Sequence, residues 1–302
     1  MRIFMTGATG WVGSAVVPEL LRAGHEVVGL ARSDSGAATL AASGAVALLG
    51  ELNDLDSLRR GAADSDGVIH LAFRHDIAFS PEGMVAAAEA DRQAVDAMAE
   101  ALAGSGRPLV IASGTPAVPG RGATERDESP VVGPTAQRGE TARTVVAMAG
   151  RGIRSAVVRL PRSVHGDGDM HGFIPRLIQI ARERGVSGYV GDGSSRWPAV
   201  HVLDAAHLFR IALEHAPAGS VLHSVGDEGV ATREIADAIG RHLDVPTGSA
   251  PAQDFGFLGL VLANDQPASS LLTRQQLGWE PFQPGLIEDL DRGHYFAAVA
   301  RT

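Results

Sequence analysis

Thr6-Gly7-Ala8-Thr9-Gly10-Trp11-Val12-Gly13 follows a short apolar run, Arg2–Met5, and leads into an amphipathic one, Trp11–Ala23. Each glycine in it has its own physical use. Gly7 can take the positive φ that a tight strand-to-helix turn needs. Gly10 has no side chain, so a pyrophosphate can come close to the backbone, and Gly13 lets the helix pack near the sheet. The helix start then offers free N–H groups and the positive end of its dipole to a phosphate. Glycines alone would be an ordinary turn. After an apolar strand, before a helix and at the head of a βαβ series, they point to a dinucleotide.

That series runs on for about 160 residues. The runs Arg2–Met5, Glu26–Leu30, Ala45–Leu49, Gly67–Leu71, Pro108–Ala112 and Arg154–Leu160 read as strands. Most are apolar throughout rather than alternating, as strands covered on both faces are. Helical patterns lie between them at Trp11–Ala23, Asp54–Gly61, Pro81–Ala103 and Thr135–Ala149. Regular β-α-β alternation implies a doubly wound parallel sheet with right-handed crossovers, a Rossmann pattern. Ser113–Gly133, rich in Gly, Pro, Glu and Asp, reads as a long loop. His165–His171 marks the passage to a smaller α+β region, with helices near Gly172–Arg184, Asp204–His215 and Thr232–Leu243 and short strands at Ala199–Val202 and Val221–Ser224. The expected division is therefore a dinucleotide-binding domain over 1–165 and a substrate-binding region over 166–302, the latter free to return elements to the former.

Composition narrows the function. The 302 residues carry 26 Lys and Arg against 35 Asp and Glu, a net charge of −9 with no basic run. Nucleic acid and anionic membranes are poor partners for such a chain. It has no cysteine, which removes disulfides and thiolate chemistry and suits a reducing, cytoplasmic compartment. The first residues lack a signal peptide's basic and apolar segments, and nowhere do about 18 apolar residues run uninterrupted. The eleven histidines form no HExxH and the acidic residues no metal loop, so no metal is expected.

The Thr-Gly-x-x-Gly-x-x-Gly spacing resembles the turn of the extended and atypical short-chain dehydrogenases, relatives of the NAD-dependent epimerases and dehydratases. Further segments carry the likeness along the chain: Val68-Ile69-His70-Leu71-Ala72, Arg196-Trp197-Pro198-Ala199-Val200-His201-Val202-Leu203-Asp204, and Leu277-Gly278-Trp279-Glu280-Pro281. The resemblance implies a nicotinamide dinucleotide on Gly7, Thr9, Gly10, Trp11, Val12 and Gly13. It places Glu51 and Leu52 near the adenine, and Leu71, Ala72 and Phe73 along the adenosine and nicotinamide path. Pro161, Arg162 and Ser163 follow strand six, where the family meets the nicotinamide. Where an NAD enzyme usually carries an acid at the end of strand two, this chain has Arg32 and Ser33. A cation and a hydroxyl there suit a 2′-phosphate and favour NADP(H), while the adjacent Asp34 keeps NAD(H) as the alternative.

The family's usual catalytic Tyr and Lys are missing. Both tyrosines, Tyr189 and Tyr295, lie too late in the chain; alignment puts Pro134 at the Tyr position and Arg138 at the Lys position. An Arg can grip a ribose or phosphate but exchanges no protons near neutral pH. Ser113 matches the family's active-site Ser, the alternative being a strand-end hydroxyl bonded to backbone, and Thr115 lies two residues on toward substrate. His75 can supply a proton, or else is an exposed loop histidine; His165 and Asp167 are weaker candidates. In nucleotide-sugar epimerases an Arg in the segment of Arg196 binds the substrate diphosphate, and Trp197 offers an aromatic wall or packs in the core.

These residues lead to an NADP(H)-dependent reductase acting on a small apolar or aromatic C=O, C=N or activated C=C. Arg138 would position the ribose, and Ser113 with His75 or water would handle the proton. Two alternatives stand beside it: a sugar-nucleotide epimerase or dehydratase, and a regulatory protein that binds NADP without turnover. A homodimer through the helices Pro81–Ala103 and Thr135–Ala149 would match the family's habit.

Overall fold

The computed structural model describes residues 1–78, 80–128 and 136–297. Six strands and five helices alternate first: β1 (Arg2–Thr6), α1 (Trp11–Arg22), β2 (Glu26–Ala31), α2 (Asp34–Ala42), β3 (Val46–Leu49), α3 (Leu55–Ala63), β4 (Gly67–His70), α4 (Pro81–Leu102), β5 (Pro108–Gly114), α5 (Ala136–Ala147) and β6 (Arg154–Leu160). There follow β7 (Ser163–His165), α6 (Phe173–Arg184), β8 (Ser187–Tyr189), β9 (Arg196–His201), α7 (Val202–His215), β10 (Ser220–His223), β11 (Asp227–Ala231), α8 (Thr232–Leu243) and β12 (Thr247–Ser249). Three short helices end the chain: α9 (Leu258–Leu262), α10 (Leu271–Leu277) and α11 (Leu286–Asp291).

The main sheet has seven strands in the order β10-β6-β5-β4-β1-β2-β3, every pair parallel. Its strand order reverses between β1 and β4, and a crevice opens there at the carboxyl ends, where doubly wound sheets bind ligands. Both faces are covered. Val16, Leu20, Leu208 and Phe209 of α1 and α7 pack on one side with Ile3 and Val110. Leu58, Val95, Met98 and Val145 of α3, α4 and α5 pack on the other with Phe4 and Leu109. This two-sided burial is why the strands read as continuous apolar runs.

The region after 165 is not a separate body. β10 joins the main sheet beside β6, and α7 covers the face it shares with α1. The remainder forms a smaller lobe in which β9 pairs with β7 and β11, with Trp197, Ile235, Leu258, Leu286 and Leu290 in its own core. One helix departs from expectation. α2 follows β2 directly and is capped by Ser33, whose hydroxyl accepts from the Gly36 N–H. Only Leu40 of its nine residues is buried, so it has no apolar stripe to announce it. Among the described residues no helix is long and apolar enough to cross a membrane.

Candidate nucleotide and active site

The glycine turn is built as its sequence demands. Gly7 has φ 70°, and a Cβ there would stand 2.6 Å from the Ala72 nitrogen. A Cβ on Gly13 would stand 2.0 Å from the Gly7 carbonyl oxygen. Gly10 is exposed and its N–H bonds to that same oxygen at 3.0 Å. No side chain caps α1, and its first intrahelical bond is from the Ser14 N–H to the Gly10 oxygen. The N–H groups of Trp11, Val12 and Gly13 are therefore left for an outside acceptor, at the positive end of the helix. These residues fit a dinucleotide's pyrophosphate.

A buried chain of polar groups fixes the turn from below. Thr6 Oγ1 accepts from the Ala72 N–H at 3.3 Å and bonds to His70 Nδ1, 2.7 Å away. The Asp91 carboxylate of α4 can only accept, so His70 Nε2 donates to it at 3.1 Å. The ends of β1 and β4 are thus tied across the crevice, and His70 works as a structural link. From the other side the Trp11 indole N–H donates to the Val164 carbonyl at 2.8 Å, joining the turn to the segment after β6. Pro161 and Ser163 lie buried in that segment, and the Ser163 hydroxyl has no partner among the described residues.

At the adenosine end Arg32 is exposed and makes no hydrogen bond or ion pair among the described residues. Ser33 and Asp34 beside it are also exposed, but the Ser33 hydroxyl is engaged in capping α2. Arg74 forms a two-pronged pair with Asp76 and holds its carboxyl below the usual range, with Arg32 adding to the effect. Glu51 is exposed within electrostatic reach of Arg74. Leu52 is buried in the core. Leu71, Ala72 and Phe73 are half-buried along the crevice.

Arg138 lies over the Phe73 ring, its guanidinium carbon 4.1 Å from the centroid, and makes no hydrogen bond or ion pair among the described residues. Burial pulls its pKa down, partly offset by Asp91. His75 stands edge-on to Phe73 at 5.0 Å. Crowding by its neighbours, and then the charge on Arg138, lower its pKa. His75 is itself exposed in the loop beyond β4. Ser113 is buried near the end of β5, and its hydroxyl bonds to no backbone group among the described residues. Thr115 Oγ1 is buried without a partner among the described residues. Pro134 lies outside the described residues.

Of the two substrate positions, one, Trp197, is corrected. The exposed Arg196 guanidinium pairs with Asp265 through Nε at 3.0 Å and Nη2 at 2.8 Å. Trp197 is wholly buried, its N–H donating to the Val261 carbonyl; it is lobe core and presents no wall. His165 is also fully buried, bonded to Asp289 at 2.8 Å. Tyr295 donates to Asp169 and accepts from the Gly166 N–H, while Tyr189 lies under Arg233. Both tyrosines are thus occupied in the C-terminal lobe. The last two shared segments meet each other. The Trp279 indole donates to the Asp204 carbonyl at 3.1 Å, and the Asp204 carboxylate accepts from Phe282 and Gln283.

The chain is 46% identical to an uncharacterized protein of Schizosaccharomyces pombe over 98% of its own length and 100% of that protein. A UDP-glucose 4-epimerase of Streptomyces lividans is 30% identical over 94% of this chain and 93% of its own. A 4-hydroxy-2-methyl-3-oxo-4-farnesyl-3,4-dihydroquinoline-1-oxide ketoreductase of Stigmatella aurantiaca is 29% identical over 73% and 67%. Among solved structures, a Thermotoga maritima UDP-glucose 4-epimerase shares the fold with a TM-score of 0.79 at 19% identity over 98% of each chain. The profile of the NAD dependent epimerase/dehydratase family matches residues 3–223, and the chain belongs to that family.

Proposed function

We propose that the protein is an NADP(H)-dependent reductase of small apolar or aromatic carbonyl, imine or activated alkene groups, acting in the cytoplasm. The observation that carries the reading is the Ser113 hydroxyl at the sheet's carboxyl edge, in a site where Arg138 stands for the usual Lys. When bound, the nicotinamide supplies hydride. The protein's own part is to bind and orient. The N–H groups at the start of α1 take the pyrophosphate, Arg32 faces a 2′-phosphate, and Arg138, stacked on Phe73, holds the ribose.

Ser113 donates to the carbonyl oxygen and aligns it. A hydroxyl is a weak acid, so the proton arrives through water or His75. Epimerisation or dehydration of a sugar nucleotide needs a stronger base on the sugar hydroxyl. A Tyr at the usual position is missing, and Arg196 is already paired. The relative named a ketoreductase supports the carbonyl reading. The relative named an epimerase favours the sugar-nucleotide alternative, which turnover of UDP-glucose would reveal. A homodimer through α4 and α5 belongs to the same proposal, and sedimentation velocity tests it.

The first experiment is a fluorescence titration with NADPH and NADH, repeated on Arg32→Asp. NADPH is expected to bind the wild type more tightly, and the substitution to erase that preference. Binding of neither nucleotide would overturn the reading.

A further inference from the structure

Several arginines of this fold are drawn out of water, and most have an evident partner. Arg154 donates to the Leu213 and Ala216 carbonyls. Arg159 donates to the Asp127 carbonyl and feels the charges of Asp127, Glu125 and Glu128. Arg138 has Phe73 and the nearby charge of Asp91. Arg162, two residues beyond β6, has the Trp197 ring 6.0 Å from its guanidinium carbon and no carboxylate partner among the described residues. It is half-buried, and burial alone lowers its pKa to about 10.

Its one hydrogen bond among the described residues is from Nη2 to the Gln266 side-chain oxygen. Gln266 is turned that way because its NH₂ donates to the Thr115 carbonyl at 2.6 Å, while its backbone N–H is held by the Arg196 carbonyl at 3.0 Å. The Thr115 N–H in turn bonds to the Leu160 carbonyl at 3.0 Å. Gln266 therefore bridges the guanidinium to Thr115, two residues beyond Ser113. The Thr115 hydroxyl is buried with no partner among the described residues.

A desolvated charge and an unpaired hydroxyl are costly to leave alone, and an anionic ligand would satisfy both. A carboxylate suits the planar guanidinium. A diphosphate suits the place less, because it brings more charge and the other candidate arginine, Arg196, is paired with Asp265. We propose that the substrate carries a carboxylate, bound by Arg162 with the Thr115 hydroxyl, so that the reducible group of an oxo acid is presented to Ser113. The proposal rests on the reductase reading and gives it a substrate class. Arg162 acts here as a specificity-determining residue.

The test is isothermal titration of the full-length protein, with and without NADP⁺, using phenylpyruvate and levulinate, each beside its methyl ester. At least one acid is expected to bind roughly tenfold or more tightly than its ester, the loss of one charge-assisted contact. Arg162→Gln is expected to abolish that difference while NADP⁺ affinity and Tm hold, and Arg162→Lys to keep part of it. Equal binding of acid and ester by the wild type, binding of neither, or an acid preference that survives Arg162→Gln would overturn the proposal. Because the wild-type pair already decides, a variant that fails to fold leaves the test standing. NADP⁺ binding without an acid preference sinks this inference alone; failure to bind nucleotide sinks the reductase reading separately.

Discussion

The guanidinium carbon of Arg138 stands 4.1 Å above the ring of Phe73, which joins a residue of α5 to the loop beyond β4. In the usual enzyme of this superfamily a Lys here is positioned beside a Tyr. In this chain a permanent cation is placed instead by stacking on an aromatic face. On the proposed reading this position keeps the charge and loses the proton exchange, which suits holding a cofactor better than abstracting a proton.

If Phe73 positions Arg138, removing the ring should loosen the nucleotide. A cation–π contact at a partly desolvated site is worth about 0.5–2 kcal/mol. Phe73→Leu is expected to weaken NADPH binding by roughly two- to thirtyfold, with Phe73→Tyr close to wild type. Fluorescence titration of the three proteins measures it. Equal affinities would show that the stack has no part in binding.

The glycine turn allows a contrast between fold and binding. In Gly13→Ala the new methyl would lie 2.0 Å from the Gly7 carbonyl oxygen, which is backbone and cannot give way. That substitution is expected to cost about 1–3 kcal/mol, seen as a lower Tm. In Gly10→Ala the methyl meets only the Gly7 oxygen, at 3.3 Å, so the fold should survive. Nucleotide affinity should still fall at least about tenfold, because the methyl stands where phosphate must approach. Nucleotide binding by Gly10→Ala equal to wild type would move the pyrophosphate elsewhere.

The turn was readable from residues alone because its function is local: spacing, strand and helix all lie between Arg2 and Arg22. α2 was not, since a helix with only Leu40 buried carries no period, and its Ser33 cap was assigned to the cofactor instead. Arg196 and Trp197 looked like site residues by motif. Asp265 takes the first and the lobe core encloses the second, and both partners are distant in sequence. Arg162 presents the opposite case. Its meaning lies in having no carboxylate beside it, and the sequence cannot show which residues fail to meet.

His201 links stability to pH. Its Nδ1 accepts from the Leu203 N–H at 3.2 Å to cap α7, which only the neutral ring can do. Burial, then the neighbouring charge of His165, lowers its pKa to about 4; the His223 pKa is also lowered, by burial. In the unfolded chain these rings titrate near 6.5. Between about 4 and 6.5 the unfolded state binds more protons, so stability is full above that window and falls as pH drops through it. The slope from one such ring is at most about 1.4 kcal/mol per pH unit. Denaturant midpoints taken from pH 7 to pH 4.5 should therefore decline. His201→Asn keeps a capping oxygen but does not titrate, so its decline should be shallower than that of the wild type. An unchanged slope in that variant would mean that His201 is charged in the folded protein and that α7 is capped in some other way.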